Sequence, residues 1–281
     1  MGSKEHAKIF FKGVAMGMAD IVPGVSGGTV ALILGIYDRL VRGISNIRPE
    51  TIKNTVKRTS PGVDIGLFLP LGTGIGLAFL LMSNVILFFL NDMASETYAF
   101  FLVLILGSAI LLLKWEGLAS PLNLIFIVVG FAFAFMFVGL ESSTIGHSLP
   151  IIFVSGIVAI TAMILPGISG ALILLFLNQY EFMLDALKNI HIAEIFTFLA
   201  GAVIGLLAFS KILDRLLSKY RPQTVAFLIG LMLGALRLCY DNMALNPETI
   251  FPVWIAALMG FGVVFLLEAG RAGRIYKSRH N

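Results

Sequence analysis

The sequence predicts an all-α polytopic membrane protein made of two inverted repeats, each a re-entrant helical hairpin followed by three transmembrane helices. Three observations predict it. Hydrophobic residues are 58% of the chain and charged residues 13%, against about 25% charged in a soluble domain, and the mean hydropathy is +0.96. One motif is written twice, as Ala19-Asp20-Ile21-Val22-Pro23-Gly24-Val25-Ser26-Gly27-Gly28-Thr29 and Ala162-Met163-Ile164-Leu165-Pro166-Gly167-Ile168-Ser169-Gly170-Ala171-Leu172. Finally, Lys and Arg collect on one side of the membrane only if the chain dips in and returns at each copy of that motif.

The two copies register at a constant offset of 143 residues. The match extends outward, with Gly13 on Gly156 and Tyr37 on Tyr180. The first hairpin is Ile9–Leu40, with Lys12 and Asp20 on its inward arm. A basic loop, Asp38–Asp64, follows. Ile65–Leu90, Thr97–Leu113 and Gly117–Leu140 are spans, close to the ~20 apolar residues that cross the hydrocarbon. The second hairpin runs through Leu149–Leu165 and Ala171–Leu184. Ile195–Ser210, Pro222–Tyr240 and Thr249–Leu267 are the remaining spans. The chain is thus one membrane domain over residues 1–281, with repeat one at 9–140 and repeat two at 149–268. Six spans and two hairpins place both termini and every basic cluster in the cytoplasm. A hairpin plus three spans is an odd number of crossings, so the repeats are inverted. No cleavable signal peptide is expected. Gly72/Gly76, Gly201/Gly205 and Gly230/Gly234 read as small-residue faces for close helix packing.

The motif breaks a helix inside apolar sequence, because proline lacks an amide hydrogen and disfavours helix in the residue before it. Pro23, Gly24, Pro166 and Gly167 are therefore the hinge positions. Ser26 is placed to cap the outgoing helix, leaving the amides of Gly27, Gly28 and Thr29 at the break. Ser169, Gly170 and Ala171 do the same in the second copy. Helix N-termini with free amides suit an anion, above all phosphate, so these seven residues are the candidate substrate-binding set. The plainer alternative is a kink without a ligand. A cation held by helix C-termini and unwound carbonyls is also open. Asp20, replaced by Met163 in the second copy, either couples or gates, or merely holds the turn through the amides. Arg39 and Arg237 are candidate entry charges, and for Arg237 snorkelling to the interface is the alternative.

A single cysteine, Cys239, excludes an intramolecular disulfide. His6, His147, His191 and His280 lie in loops or tails and form no cluster. Without metal-ligand spacing or a nucleotide loop, the sequence calls for no enzyme activity, cofactor or metal, and for no nucleic acid. Membrane lipids surround it, and a homo-oligomer stays open.

Gly13-x-x-Met16-Gly17-x-Ala19-Asp20-x-Val22-Pro23-Gly24-Val25-Ser26-Gly27-Gly28-Thr29, then Gly35-Ile36-Tyr37, and later Leu165-Pro166-Gly167-Ile168-Ser169-Gly170, resemble the bacterial polyprenyl-phosphate transporter family, formerly a domain family of unknown function. The resemblance covers essentially the whole chain. It implies a bacterial cytoplasmic (inner) membrane protein that returns undecaprenyl phosphate, a polyprenyl-phosphate carrier lipid of cell-wall synthesis, from the outer to the cytoplasmic leaflet. A coupling ion, H+ or Na+, is not specified. Asn178 stands at the place equivalent to Gly35, where glycine is expected. A secondary transporter or channel for a small anion remains the alternative.

Overall fold

The computed structural model describes residues 3–21, 26–56, 62–118, 120–139, 146–244 and 250–279. Every regular element among them is a helix: α1 (Ser3–Ile21), α2 (Gly27–Ile33), α3 (Tyr37–Ser45), α4 (Pro49–Val56), α5 (Ile65–Asp92), α6 (Ala94–Glu116), α7 (Pro121–Val138), α8 (Leu149–Ile164), α9 (Gly170–Phe176), α10 (Tyr180–Lys188), α11 (Ile192–Lys219), α12 (Arg221–Asp241) and α13 (Ile250–Arg279). Within α5, α6, α7, α11 and α12 lie stretches long and apolar enough to cross a membrane. The sixth expected span falls in α13, whose apolar part Ile250–Leu266 is shorter. Large apolar side chains such as Leu80, Val128, Met136, Phe196, Leu258 and Phe265 point outward, as lipid-facing residues do. The protein is a multi-pass membrane protein.

Four helix pairs organise the bundle: α1 with α5, α8 with α11, α7 with α12, and α6 with α13. Each closes over glycine. The backbone of Gly74 meets Phe10 and Val14, and Gly17 meets Ile75 and Ala78. In the same way Gly201 meets Phe153, and Gly205 meets Ile157 and Ile160. The Phe227 carbonyl and Leu231 amide face Gly130, just as the Phe100 carbonyl and Leu104 amide face Gly260. Contacts advance together along both members of each pair, so the partners run parallel. Lipid gives helices no hydrophobic reason to associate, and close approach over small residues supplies dispersion contact instead. α12 is the central helix, with Val225, Ala226, Leu228, Ile229, Leu231 and Met232 all buried.

Gly201/Gly205 and Gly230/Gly234 pack as expected. Gly72/Gly76 do not: both face open space, and Gly74 with Ala78 makes the contact on α5. The helix is apolar all round, so nothing in its pattern tells the packed face from the lipid face.

The segment expected to be a basic loop is largely helical. α3 buries Tyr37, Val41 and Ile44 at one-turn intervals and leaves Arg39 and Arg42 outside. Its charges gather one end of the bundle. Arg39 pairs with Asp64 and Glu5, Arg42 with Asp214, Arg221 with Asp38 and Glu116, and Lys114 with Glu268. Among the described residues, Arg237–Asp241 is the ion pair outside this end.

The departure at Asn178 resolves in the backbone. Gly35 and Asn178 both adopt left-handed conformations, with φ of 68° and 52°. Each sits after a seven-residue helix whose end is closed by the same bond, Ile36 amide to Ala31 carbonyl (2.9 Å) and Gln179 amide to Leu174 carbonyl (2.8 Å). Asparagine tolerates this region better than other side chains, so the second copy makes the same turn without glycine. Beyond it, α9 and α10 are bent by 111°.

Gly74→Leu should lower the midpoint of thermal unfolding in detergent sharply, by the equivalent of ~3 kcal/mol or more from overpacking against backbone. Gly72→Leu, on the open face, should leave it within about 0.5 kcal/mol.

Candidate functional site

Two helix breaks meet in the interior. The second is the better described. Leu165, preceding Pro166, leaves helical geometry for an extended conformation (φ −72°, ψ 127°), the conformation a following proline favours. The carbonyls of Ile164 and Leu165 and the amide of Gly167 are thereby left without helical partners. Side chains of the first copy supply them. The Tyr37 hydroxyl donates to the Ile164 carbonyl (3.1 Å), the Ser26 hydroxyl donates to the Leu165 carbonyl (3.3 Å), and the Gly167 amide donates to Thr29 Oγ1 (2.8 Å). Tyr37, Ser26 and Thr29 are each about 1% exposed. Gly167 holds φ at 88°, and a Cβ there would lie 2.7 Å from the Leu231 carbonyl oxygen of α12. Gly28 permits the approach of α2 to α8, since a Cβ on it would lie 2.7 Å from the Ile164 oxygen.

The sequence-derived residues are thus largely brought together. Ser26 caps α2 as expected, its hydroxyl accepting from the Gly28 amide (3.1 Å). The Gly27 amide is not open: it donates to Asp20 Oδ1 (2.6 Å). Asp20 is therefore an acceptor on the first turn of α2, and a side chain at position 27 would run into its carboxyl group. The second copy differs. Ser169 is buried and makes no cap bond, and Met163 stands where Asp20 stands. No side chain caps α9, so the Gly170 and Ala171 amides keep the unpaired character of a helix start. A Cβ on Gly170 would lie 2.9 Å from the Ala159 carbonyl oxygen. Pro166 and Gly167 form the second break, whereas Pro23 and Gly24 lie outside the described residues.

The proposed entry charges are engaged elsewhere. Arg39 grips Asp64 through Nε and a terminal nitrogen (3.0 and 3.1 Å) and lines a cavity of about 360 Å³ with Asp38 and Arg42 at the charged end. Arg237 donates to the Phe135 carbonyl (3.0 Å) near the end of α7 and to Asp241 (3.3 Å), with its guanidinium 4.6 Å from the centre of the Phe135 ring. It binds one helix end to another, and among its contacts none reaches the tips.

Residue-by-residue reading missed three contributors. Lys12 Nζ donates to the Leu34 carbonyl (2.7 Å), closing the end of α2. Gln179 donates to the Gly146 carbonyl (3.1 Å) and pairs with His147 (3.2 Å), tying the far end of the second motif back to the start of α8. Tyr37 was visible as a repeat match with Tyr180, a signal that pointed to it without naming its partner.

The chain has relatives among known proteins. Residues 16–247 match the family described as undecaprenyl phosphate translocase-like. A Vibrio cholerae protein named polyprenyl-phosphate transporter is 41% identical over 235 residues, covering 82% of this chain and 76% of that protein. A Staphylococcus aureus protein of the same name is 30% identical over 275 residues, covering 92% and 93%. No solved structure matches the chain. With the match spanning both copies of the motif, the chain belongs to the undecaprenyl phosphate translocase-like family.

Proposed function

We propose that this protein carries a polyprenyl phosphate, undecaprenyl phosphate, across the bacterial cytoplasmic membrane from the outer to the inner leaflet. The phosphate is held at the paired tips by Ser26, Gly27, Gly28 and Thr29 with Ser169, Gly170 and Ala171. The observation that carries the reading is the meeting of the two breaks through Ser26, Thr29 and Tyr37. It puts two helix starts in one buried region, where dipoles and amides act on an anion without competing water. The names of the relatives supply the substrate class.

In this reading the chain is two inverted repeats, 9–140 and 149–268, each opening with a re-entrant hairpin. Parallel packing supports it: α5 starts beside the start of α1, and α11 beside the start of α8, so the chain returns to the side it came from before each long helix begins. The Arg39–Glu5 contact (3.6 Å) and the Gln179–Gly146 bond are the corresponding closures. Taking the charged end as cytoplasmic puts both termini there. The elbows between α5 and α6 and between α11 and α12 are also twins. Met93 and Tyr220 share φ and ψ within a few degrees (−137°, 47° and −131°, 45°), and Thr97 and Thr224 donate back to them (2.7 and 2.8 Å). Inverted repeats whose broken helices meet at mid-membrane suit alternating access.

Asp20 is the gate. Its carboxylate occupies the amide that the phosphate would take, so ligand entry at the first tip requires it to withdraw, while the second tip receives the anion directly. H+ or Na+ would act there as the coupling ion. Arg39 and Arg237 stand at opposite ends, and each would have to leave its present partners, Asp64 and Asp241, to act as an entry charge.

Purified protein in liposomes should exchange labelled undecaprenyl phosphate between leaflets. Gly27→Leu and Gly170→Leu should abolish exchange while the protein stays folded and monodisperse, and normal exchange in both variants removes the tips from the reading. With Cys239 replaced, single cysteines in 38–64 and in 185–194 should react with impermeant reagent from opposite faces. Labelling from one face rejects the inverted arrangement.

A further inference from the structure

We propose that the groove between α7, α11 and α12 holds the isoprenoid chain of the carried lipid in the cytoplasmic leaflet; this rests on the transport reading above and adds the tail's path to it. The groove is a cavity of about 580 Å³. Val129 of α7 and Leu216 of α11 form its walls, and Phe227 of α12 lines it more deeply. Val129 is 51% and Leu216 41% exposed, so the groove opens on the outer face of the bundle.

Its two ends differ in chemistry. One end is polar, rimmed by Tyr220, Gln223 and Thr224. Beside it Lys219 Nζ lies 5.3 Å from the centre of the Tyr220 ring. The neighbouring Arg221 is already bound to Asp38 (2.7 Å) and Glu116 (3.1 Å), so among the described residues beside this rim Lys219 is placed to meet an anionic head group. The rim therefore sits at the charged end of the bundle. The other end runs inward along α12. Phe227 is about one helical turn, ~5.4 Å, from Leu231, whose carbonyl abuts Gly167 at the second break. A lipid phosphate held at the tips needs a lateral exit for its chain. The groove supplies an apolar channel that starts about one helical turn along α12 from the residue abutting the second break and ends beside Lys219 at the charged end. A long single chain with a compact anionic head matches both ends at once.

The test fills the groove without touching the tips. Val129→Trp and, independently, Leu216→Trp project a ring into it from exposed positions. Val128→Trp, next along α7 and 63% exposed, is the control. In liposomes, each groove variant should slow exchange of undecaprenyl phosphate roughly tenfold, the equivalent of about two methylene groups displaced from apolar contact. Exchange of farnesyl phosphate, whose short chain has less apolar contact to lose, should stay within about twofold, and Val128→Trp should change neither. Equal slowing of both lipids, or of neither, overturns the proposal. Occupancy is read separately, in detergent, by the rise in thermal midpoint on adding undecaprenyl phosphate. The rise should be present in the wild type and Val128→Trp and reduced in the groove variants. A rise the groove variants keep, no rise in the wild type, or an equal rise with phosphatidylglycerol overturns the groove as a tail site. A groove-dependent rise in a protein that exchanges neither lipid overturns the transport reading and leaves the groove standing.

Discussion

Backbone groups freed by a break in apolar surroundings must find partners, and that constraint governs the centre of this protein. Pro166 ends α8 and strips the Ile164 and Leu165 carbonyls of their helical donors. Water is scarce at such depth, and an unpaired amide or carbonyl there costs several kcal/mol. Tyr37, Ser26 and Thr29 meet those groups and the Gly167 amide. The transaction is one-sided: the first copy gives side chains and the second gives backbone. The break is stable because the other copy completes it, and the two halves are locked together by the same bonds.

Everything outside the centre is arranged so that this meeting can occur. α2 is short and lies against α8, which needs Gly28 at the contact. α1 and α8, which lead into the breaks, are held along their lengths by α5 and α11 through backbone approaches at Gly13, Gly17 and Gly74 and at Gly156, Gly201 and Gly205. α12 carries Leu231 against Gly167 while packing α7 and α6. Small residues draw these helices together where lipid supplies no hydrophobic drive. Most of the ion pairs among the described residues collect instead at one end of the bundle, where Arg39, Arg221 and Asp214 fasten α3 and its neighbours to α5, α6 and α11.

Much of this was legible because the motif occurs twice. Repetition at a constant offset exposed both breaks, the Ser26 cap and the Tyr37–Tyr180 correspondence, since a proline ends a helix wherever it stands, although the serine that follows caps the next helix only in the first copy. What stayed hidden depends on phase or partnership. The packed face of α5 is Gly74 and Ala78 rather than Gly72 and Gly76, and an all-apolar helix carries no moment to tell them apart. Charge density along 38–64 read as a loop, although Tyr37, Val41 and Ile44 have the spacing of a helix buried on one side. Asn178 departs from the expected glycine, yet its φ of 52° lies in the same left-handed region as the 68° of Gly35. That Asp20 would take the Gly27 amide was one of two readings left open, and spacing could not decide between them.

The two tips are copies in sequence but not in electrostatics, and the difference suits a carrier. A symmetric pair of bare helix starts would leave amides unsatisfied in the empty protein, at a cost of about 1–3 kcal/mol each. Asp20 removes that cost on one side by lending the protein's own carboxyl oxygen to the Gly27 amide. Met163 and the uncapped Ser169 leave it in place on the other. In the proposed cycle an arriving phosphate gains the open amides of Gly170 and Ala171 at once, and gains Gly27 only by displacing a carboxylate of like charge. Binding at the second tip therefore precedes full engagement of the first, and repulsion between phosphate and Asp20 couples occupancy to movement of α1 against α2. A carrier whose tips were both bare would hold its ligand more tightly and have less reason to move.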